Sequence, residues 1–387
     1  MIIIFTFFIF SLVLLLHSYF FYPLVLFLLN TLHRKNYLTT SFELPNISII
    51  ISAYNEENVI EKTIRNFMQS DYDLSKIEII IGSDLSTDNT NQIIEKLKIE
   101  FPNIVFLPFT TRRGKANVLN DLVKVAKGEI LVFSDANTIY EKNAIKELVK
   151  YYADKRIGGV CGKLILLDVE KAKKEGSQEK EYWEYESWIK NMEGKLGILI
   201  GANGGIYSIR SELYINIPSE FPVMDDFYVG LKILEQHKDM IYAKEAIATE
   251  YVAPTVEWEF KRKVRTISIN LDSVRYVKSL LSPKYGLISF ALWSHKIFRW
   301  LTPLLMILAF VSNSFLLDLE VFRYFFAAQI TFYIFSLIGY FLAIKKISIK
   351  LFSFCYYFSV TNIALLAGIY KFFTKKQTAA WQSTERV

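Results

Sequence analysis

Cysteine is nearly missing from this chain, with two in 387 residues. Cys161 falls in the polar middle and Cys355 in an apolar run, so neither a disulfide framework nor a zinc site is expected. Histidine is as sparse, four in all, with no pair at metal-ligating spacing. Neither GxGxxG nor GxxxxGK[ST] occurs, which argues against a dinucleotide fingerprint and a P-loop. No basic run is interleaved with aromatics, so single-stranded nucleic acid has no stacking platform. The formal net charge of +6 is read as positive charge on cytoplasmic loops, not as a nucleic-acid surface.

What the chain has in plenty is apolar sequence, 52% hydrophobic and 16% aromatic, concentrated at its two ends. Residues 2–29 are almost wholly apolar and long enough to span a bilayer. With no positive n-region and no small-residue cleavage site, they read as an anchor and not a signal peptide. His33, Arg34 and Lys35 follow, so the positive-inside rule puts the middle of the chain in the cytoplasm, beneath an inner or plasma membrane. Three further spans are expected at Ile297–Leu317, Phe322–Ile344 and Leu351–Phe373. Asp318 and Glu320 mark an outer turn; Lys345, Lys346 and Lys350 mark an inner one. Four spans leave Lys375, Lys376 and Arg386 outside, against the same rule, unless the last segment does not fully cross. The expected divisions are an anchor over 1–32, a cytoplasmic domain over 45–255, amphipathic interfacial helices over 256–296, a membrane region over 297–374 and a tail over 375–387.

The middle alternates. Apolar strands at Ile47–Ser52, Ile77–Ile81, Ile104–Leu107 and Ile130–Phe133 are separated by helical runs at Glu57–Ser70, Asp88–Ile99 and Lys115–Ala126. The pattern predicts an α/β fold, a mostly parallel sheet with helices on both faces. Ligands in such folds bind at the carboxyl ends of the strands. Three strand ends are polar there: Ser52-Ala53-Tyr54-Asn55-Glu56, Ser83-Asp84-Leu85-Ser86-Thr87-Asp88 and Asp135-Ala136-Asn137. Each alone is an ordinary turn or cap. Together they predict one cleft rimmed by acceptors. Thr111-Arg112-Arg113-Gly114-Lys115 lies between them, three cations and a glycine at a helix start, and suits an anionic phosphate. Acceptors and cations on one rim fit a diphosphate bridged by a hard divalent ion, with Asp135 a ligand and Asn137 a weaker one.

The order SAYNEE, SDLSTDNT, RRGKANVLN, FSDANT resembles glycosyltransferase family 2, the inverting, metal-dependent sugar transferases of GT-A fold. The resemblance runs over roughly residues 45–275, through Gly201-Ala202-Asn203-Gly204-Gly205, Met224-Asp225-Asp226 and Arg262-Lys263-Val264-Arg265. The flanking apolar segments are similar to the membrane-bound branch that makes extracellular polysaccharides. It implies that Ala53, Tyr54, Glu56 and Asp84 hold the uridine of a UDP-sugar, with Lys115 beside the nucleotide. It puts Asp135 at the family's DxD position as ligand to Mg²⁺ or Mn²⁺, Asn137 standing where the second Asp is usual. Asp226 takes the place of the general base in the TED motif, and Asn203, Gly204 and Asp225 the acceptor side. Arg265 matches the Arg of QxxRW, facing the diphosphate with Arg262 as a second donor contact. Thr266 replaces a Trp typical of processive synthases. The terminal segment from Trp381 to Arg386 resembles a tail motif of some members. Partners implied are a nucleotide-sugar, a saccharide or lipid-linked acceptor and the bilayer, with no nucleic acid. A non-catalytic, scaffold-like member is the competing class.

The residues also allow plainer readings. Adjacent carboxylates at 225 and 226 suit a base, because repulsion raises one pKa, or equally an ordinary helix N-terminus. Arg262 and Arg265, three apart, are expected on one helix face, in a segment that also suits a membrane-surface helix with Trp258 and Phe260 in lipid. Tyr182, Trp183, Tyr185 and Trp188 read as core packing ahead of stacking on an acceptor sugar.

Overall fold

The computed structural model describes residues 1–39, 43–167, 177–251 and 256–374; the terminal motif from Trp381 and the charges at 375, 376 and 386 lie outside the described residues, as does the side chain of Trp258. Helix α1 (Ile2–Leu16) runs through a π-helical turn, His17–Phe21, into α2 (Tyr22–His33). The α/β unit follows as β1 (Ile47–Ala53), α3 (Ile60–Phe67), β2 (Ile77–Asp84), α4 (Thr90–Glu100), β3 (Ile104–Phe109), α5 (Lys115–Val125), β4 (Ile130–Asp135), β5 (Ile139–Tyr140), α6 (Ala144–Val149), β6 (Ile157–Leu167), α7 (Ser177–Lys195), β7 (Tyr207–Arg210), α8 (Asp225–Glu235), β8 (Asp239–Tyr251) and α9 (Val256–Arg275). The chain then forms α10 (Leu287–Ala291), a second π-helical turn at Leu292–Ile297, α11 (Phe298–Trp300), α12 (Thr302–Ser314), α13 (Glu320–Ile344) and α14 (Lys350–Thr374).

The eight strands make one sheet in the order β3-β2-β1-β4-β7-β6-β8-β5. The β3-β2-β1-β4 half is parallel, as the alternating pattern predicts. The other half is mixed: β7 runs antiparallel to β4 and β6, and β5 to β8. Strands covered on both faces read as continuous apolar runs, because inward and outward positions both meet helices. Ile49, Ile51, Ile79 and Ile81 pack with Ile64 of α3 and Leu97 of α4. Ile50, Ile80 and Leu131 face the opposite side with Leu122 of α5 and Leu231 of α8.

Among the described residues, three helices are long and apolar enough to cross a membrane: Ile2–His33, α13 and α14. The expected span at Ile297–Leu317 is not a straight helix. It is a pair, Leu287–Trp300 and Thr302–Ser314, bent by 63°, and counts as a fourth span only if both halves form one crossing. Pro303, at the start of α12, has no N–H to continue the preceding helix. The first helix is also divided in use. Phe8 of α1 packs with Ala309, Leu316 and Phe322, whereas Tyr22 and Leu26 of α2 are fully buried in the same cluster as the sheet. Lys35 then clamps onto Asp239 at 2.8 Å.

The α9 segment does not lie as a free surface helix. It packs on α14, where Gly368 allows close approach: a Cβ there would collide with Ile267 and sit 2.9 Å from the Val264 carbonyl oxygen.

Candidate active site

The cleft lies at the carboxyl ends of β1, β2 and β4. Loops after β1 and β2 are laced together. The Asn55 backbone N–H donates to Ser86 Oγ at 3.1 Å, Thr87 N–H to Asn55 Oδ1 at 2.8 Å and Glu56 N–H to Thr90 Oγ1 at 2.8 Å. Ala53 and Glu56 are buried. Tyr54 carries the Arg112 guanidinium over its ring, 3.4 Å from the centroid, a cation–π contact.

Asp84, buried at the end of β2, accepts from the backbone N–H groups of Arg113 (2.6 Å) and Gly114 (3.0 Å). Gly114 has φ +77°, which lets consecutive N–H groups converge on one carboxylate. The sequence suggests a phosphate at this helix start; the anion found there is Asp84. Arg113 itself pairs with Asp121 at 2.8 Å. Lys115 does reach the cleft: its Nζ lies 2.9 Å from Asp135 Oδ1 and 3.1 Å from Asp225 Oδ2. Burial alone pulls the Lys115 pKa down, but Asp135 and Asp225 outweigh it and the ammonium is held above its ordinary range.

Asp225 and Asp226 open α8, so both plain readings of the pair hold: it is a helix start, and it is electrostatically loaded. Asp226 is half-buried. Desolvation and then Asp225 push its pKa up to about 6, against the pull of Lys115 and Lys190 and a 2.7 Å hydrogen bond from Phe227 N–H. Gly204 separates it from Asp135. A Cβ on Gly204 would lie 3.4 Å from Asp226 Oδ2 and 3.6 Å from Asp135 Oδ2, so the two carboxylates face each other over a bare backbone. Arg265 feels Asp225 and Asp135, although burial is the largest influence and lowers its pKa.

Three expected site residues are engaged otherwise. Asn203 is buried; its Oδ1 accepts from Lys190 Nζ at 2.5 Å and its Nδ2 donates to the Gly162 carbonyl at 2.7 Å, so its amide holds the loop. Asn137 donates to Glu250 at 2.8 Å, and its Oδ1 is sealed from solvent with no donor. As placed, it presents no oxygen to the cleft. Arg262 pairs with Glu259 at 2.7 Å and lies over Trp183, on the wall of a separate cavity, while Arg265 turns to the acidic pair. Three residues advance a helix by about 300°, so 262 and 265 diverge by about 60°, enough to divide them here. Tyr182, Trp183 and Tyr185, expected in the core, line the same cavity, and Trp188 is exposed.

Sequence reasoning missed Lys190. A lysine on an aromatic-rich helix, it holds the Gly201–Gly205 loop and influences Asp226. It also missed the buried polar joint beside it. There Glu193 accepts from Tyr22 OH at 2.5 Å and from Ile200 N–H at 3.0 Å and meets His295 Nδ1 at 2.6 Å. His295 Nε2 lies 3.0 Å from Glu186, which also pairs with Arg299.

Among the described residues no group of three or more His, Cys, Asp or Glu side chains could hold a metal. Magnesium typically takes one or two protein carboxylates and completes its shell with phosphate and water. The half-buried Asp135 carboxylate, with Oδ2 turned toward the Gly204 gap, fits that pattern as a single ligand.

Residues 48–214 match the sequence profile described as Glycosyl transferase family 2. Among curated proteins, the chain is 36% identical over 121 residues to a poly-beta-1,6-N-acetyl-D-glucosamine synthase of Staphylococcus aureus (strain MSSA476), covering 31% of this chain and 29% of that one. It is 32% identical over 133 residues to the probable glycosyltransferase YdaM of Bacillus subtilis, covering 33% and 32%. The matched region is thus under a third of the length of either relative. Among solved structures, the mannosyltransferase PcManGT from Pyrobaculum calidifontis superposes with a TM-score of 0.72 over 96% of this chain and all of that one, at 18% identity, a likeness of fold. The mixed sheet with helices on both faces is of GT-A type, and residues 48–214 of this chain are a glycosyl transferase family 2 domain.

Proposed function

We propose that this chain is an inverting, metal-dependent glycosyltransferase, moving a sugar from a nucleotide-sugar to a hydroxyl of a saccharide acceptor in cell-surface polysaccharide synthesis. Asp226 carries the reading: a carboxylate with a pKa near 6, facing Asp135 across Gly204. A base poised near neutrality suits proton abstraction from a hydroxyl. The acceptor oxygen bonds to the anomeric carbon while the bond from that carbon to the diphosphate breaks. The proton goes to Asp226 and the electron pair leaves with the diphosphate. Attack opposite the leaving group inverts the configuration.

Lys115 and Arg265 supply fixed positive charge beside the departing diphosphate. Ala53, Tyr54 with its stacked Arg112, Glu56 and Asp84 frame the nucleoside. A divalent ion held by Asp135 and the diphosphate would add Lewis-acid stabilisation of the leaving group. His33, Arg34 and Lys35 at the end of the first apolar helix favour a cytoplasmic catalytic unit.

The test is a screen of the purified full chain in detergent for nucleotide release with Mg²⁺ or Mn²⁺. The name of the Staphylococcus relative makes an N-acetylglucosamine donor the first to try, and the GDP-Man complex of PcManGT makes GDP-mannose the second. Metal-dependent release is expected. Tight nucleotide binding with no release from any donor would favour the scaffold class instead.

A further inference from the structure

The Glu193 side chain is wholly buried, at the point where α2, the bent helix pair and the Gly201–Gly205 loop meet. Burying a charge is costly unless it is paired, and packed hydrocarbon would often stabilise such a point as well. What a carboxylate adds is about four acceptor sites in one place. Glu193 uses them on three elements far apart in sequence. Its Oε1 accepts from Tyr22 OH of α2 at 2.5 Å and meets His295 Nδ1, in the first half of the bent pair, at 2.6 Å. Its Oε2 accepts from the Ile200 backbone N–H at 3.0 Å. Ile200 immediately precedes the turn at Gly201, where φ is +91°. Two more residues of α7 extend the same helix face at i−3 and i−7. Lys190 grips the loop further on, at the Ala202 carbonyl and Asn203 Oδ1. Glu186 lies 3.0 Å from His295 Nε2 and pairs with Arg299. His295 is therefore fixed by a carboxylate at each ring nitrogen, and Lys296 adds positive charge that faces both carboxylates.

We infer that Glu193 is a positioning residue: through Ile200 it ties the Gly201–Gly205 loop to α2 and the bent helix pair, and so sets the gap at Gly204 across which Asp135 and Asp226 face each other. This rests on the glycosyl-transfer reading above. The gap is narrow, since a Cβ on Gly204 would lie 3.4 Å from Asp226 Oδ2 and 3.6 Å from Asp135 Oδ2. A small displacement of the loop therefore changes how both carboxylates meet a substrate. A misplacement of about 1 Å costs about 10²-fold in rate. The loops after β1 and β2, which frame the nucleoside in that reading, are laced to each other. Nucleotide affinity is thus separable from the position of the Gly201–Gly205 loop. The apolar helices act on the chemistry through this one carboxylate, as a frame that holds the loop.

Amide hydrogen exchange, calorimetry with UDP and GDP, and initial rates of nucleotide release test this on the full chain in detergent. Glu193→Ala should speed exchange over residues 198–205 about tenfold or more, the usual effect of losing one buried hydrogen bond, while β4 and α8 keep their protection. Its kcat should fall about 10–100-fold, with donor KM and nucleotide affinity little changed. Glu193→Gln, whose amide oxygen still accepts from Ile200, should recover most of both losses. Tyr22→Phe removes one arm of the joint and leaves every loop bond in place. It should move loop exchange and kcat in the same direction, by less. Should Glu193→Ala fail to fold, Tyr22→Phe decides alone. Exchange raised equally across the whole sheet means a merely structural role and overturns the inference. So does loop exchange unmoved by Tyr22→Phe, or a Gln variant no better than the Ala variant. Nucleotide release with loop and kcat unmoved sinks this inference and leaves the transferase reading standing. A loop loosened as expected, in a chain that releases no nucleotide, sinks the transferase reading alone.

Discussion

The acid limb of the pH profile is the sharpest handle on Asp226. Its pKa of about 6 arises from desolvation and Asp225, opposed by Lys115 and Lys190. If the carboxylate must be ionised to accept a proton, kcat/KM should be flat above about pH 7, where about nine-tenths of the base is ionised, and fall about tenfold per unit below pH 6. Asp225→Asn removes the neighbouring anion and frees Lys115 from one of its two partners, so both changes favour ionised Asp226. The limb should move to lower pH by about 1–3 units, the usual effect of one close charge. Lys190→Met should move it to higher pH. Asp226→Asn should lower kcat by about 10²–10⁴-fold, with nucleotide affinity little changed. It should also raise the Tm. A carboxylate whose folded pKa lies above its unfolded value favours folding only while protonated, and that contribution is lost as pH rises through 6. The assays are initial rates of nucleotide release from pH 5 to 8, calorimetric nucleotide titration and thermal melts at pH 7.5. A flat profile from pH 5 to 8, or an acid limb unmoved by Asp225→Asn, would refute the assignment. Turnover lost in Asp225→Asn but kept in Asp226→Asn would make Asp225 the base.

Asp135→Ala should abolish turnover and metal dependence, whereas Asn137→Ala, whose amide already serves Glu250, should reduce kcat only a few-fold; equal rates for wild type and Asp135→Ala with Mg²⁺ or Mn²⁺ would sink the metal assignment. Gly368→Ala forces α14 away from Ile267 and the Val264 carbonyl and should destabilise the chain by about 1–3 kcal/mol, as overpacking does, seen as a lower Tm in detergent; an unchanged Tm would mean that α9 does not depend on that contact.

Much of the catalytic half was legible because its determinants are local. Parallel strands buried on both faces must be continuously apolar, so Ile47–Ala53, Ile77–Asp84 and Ile130–Asp135 stand out from their surroundings. Polar residues that break such a run mark the sheet's carboxyl edge, which is how Asp84 and Asp135 were found. The antiparallel strands β5 and β7 are two and four residues long and gave no such signal.

Which partner each polar group takes was decided only in three dimensions. Lys115 could have met a phosphate or a carboxylate from its position alone. The fold brings Asp225, from a distant part of the chain, to 3.1 Å of it. Asn203 looked like an acceptor contact until Lys190 and the Gly162 carbonyl claimed its amide. Arg262 and Arg265 share a helix, but α7 draws one toward Trp183 while the acidic pair lies near the other. The apolar ends were recognised by composition, which reports a preference for hydrocarbon over water. It carries no information on crossing geometry. Hence the docking of α2 into the core beside the sheet and the cavity between the helices had to come from packing: each depends on side chains far apart in sequence competing for the same space.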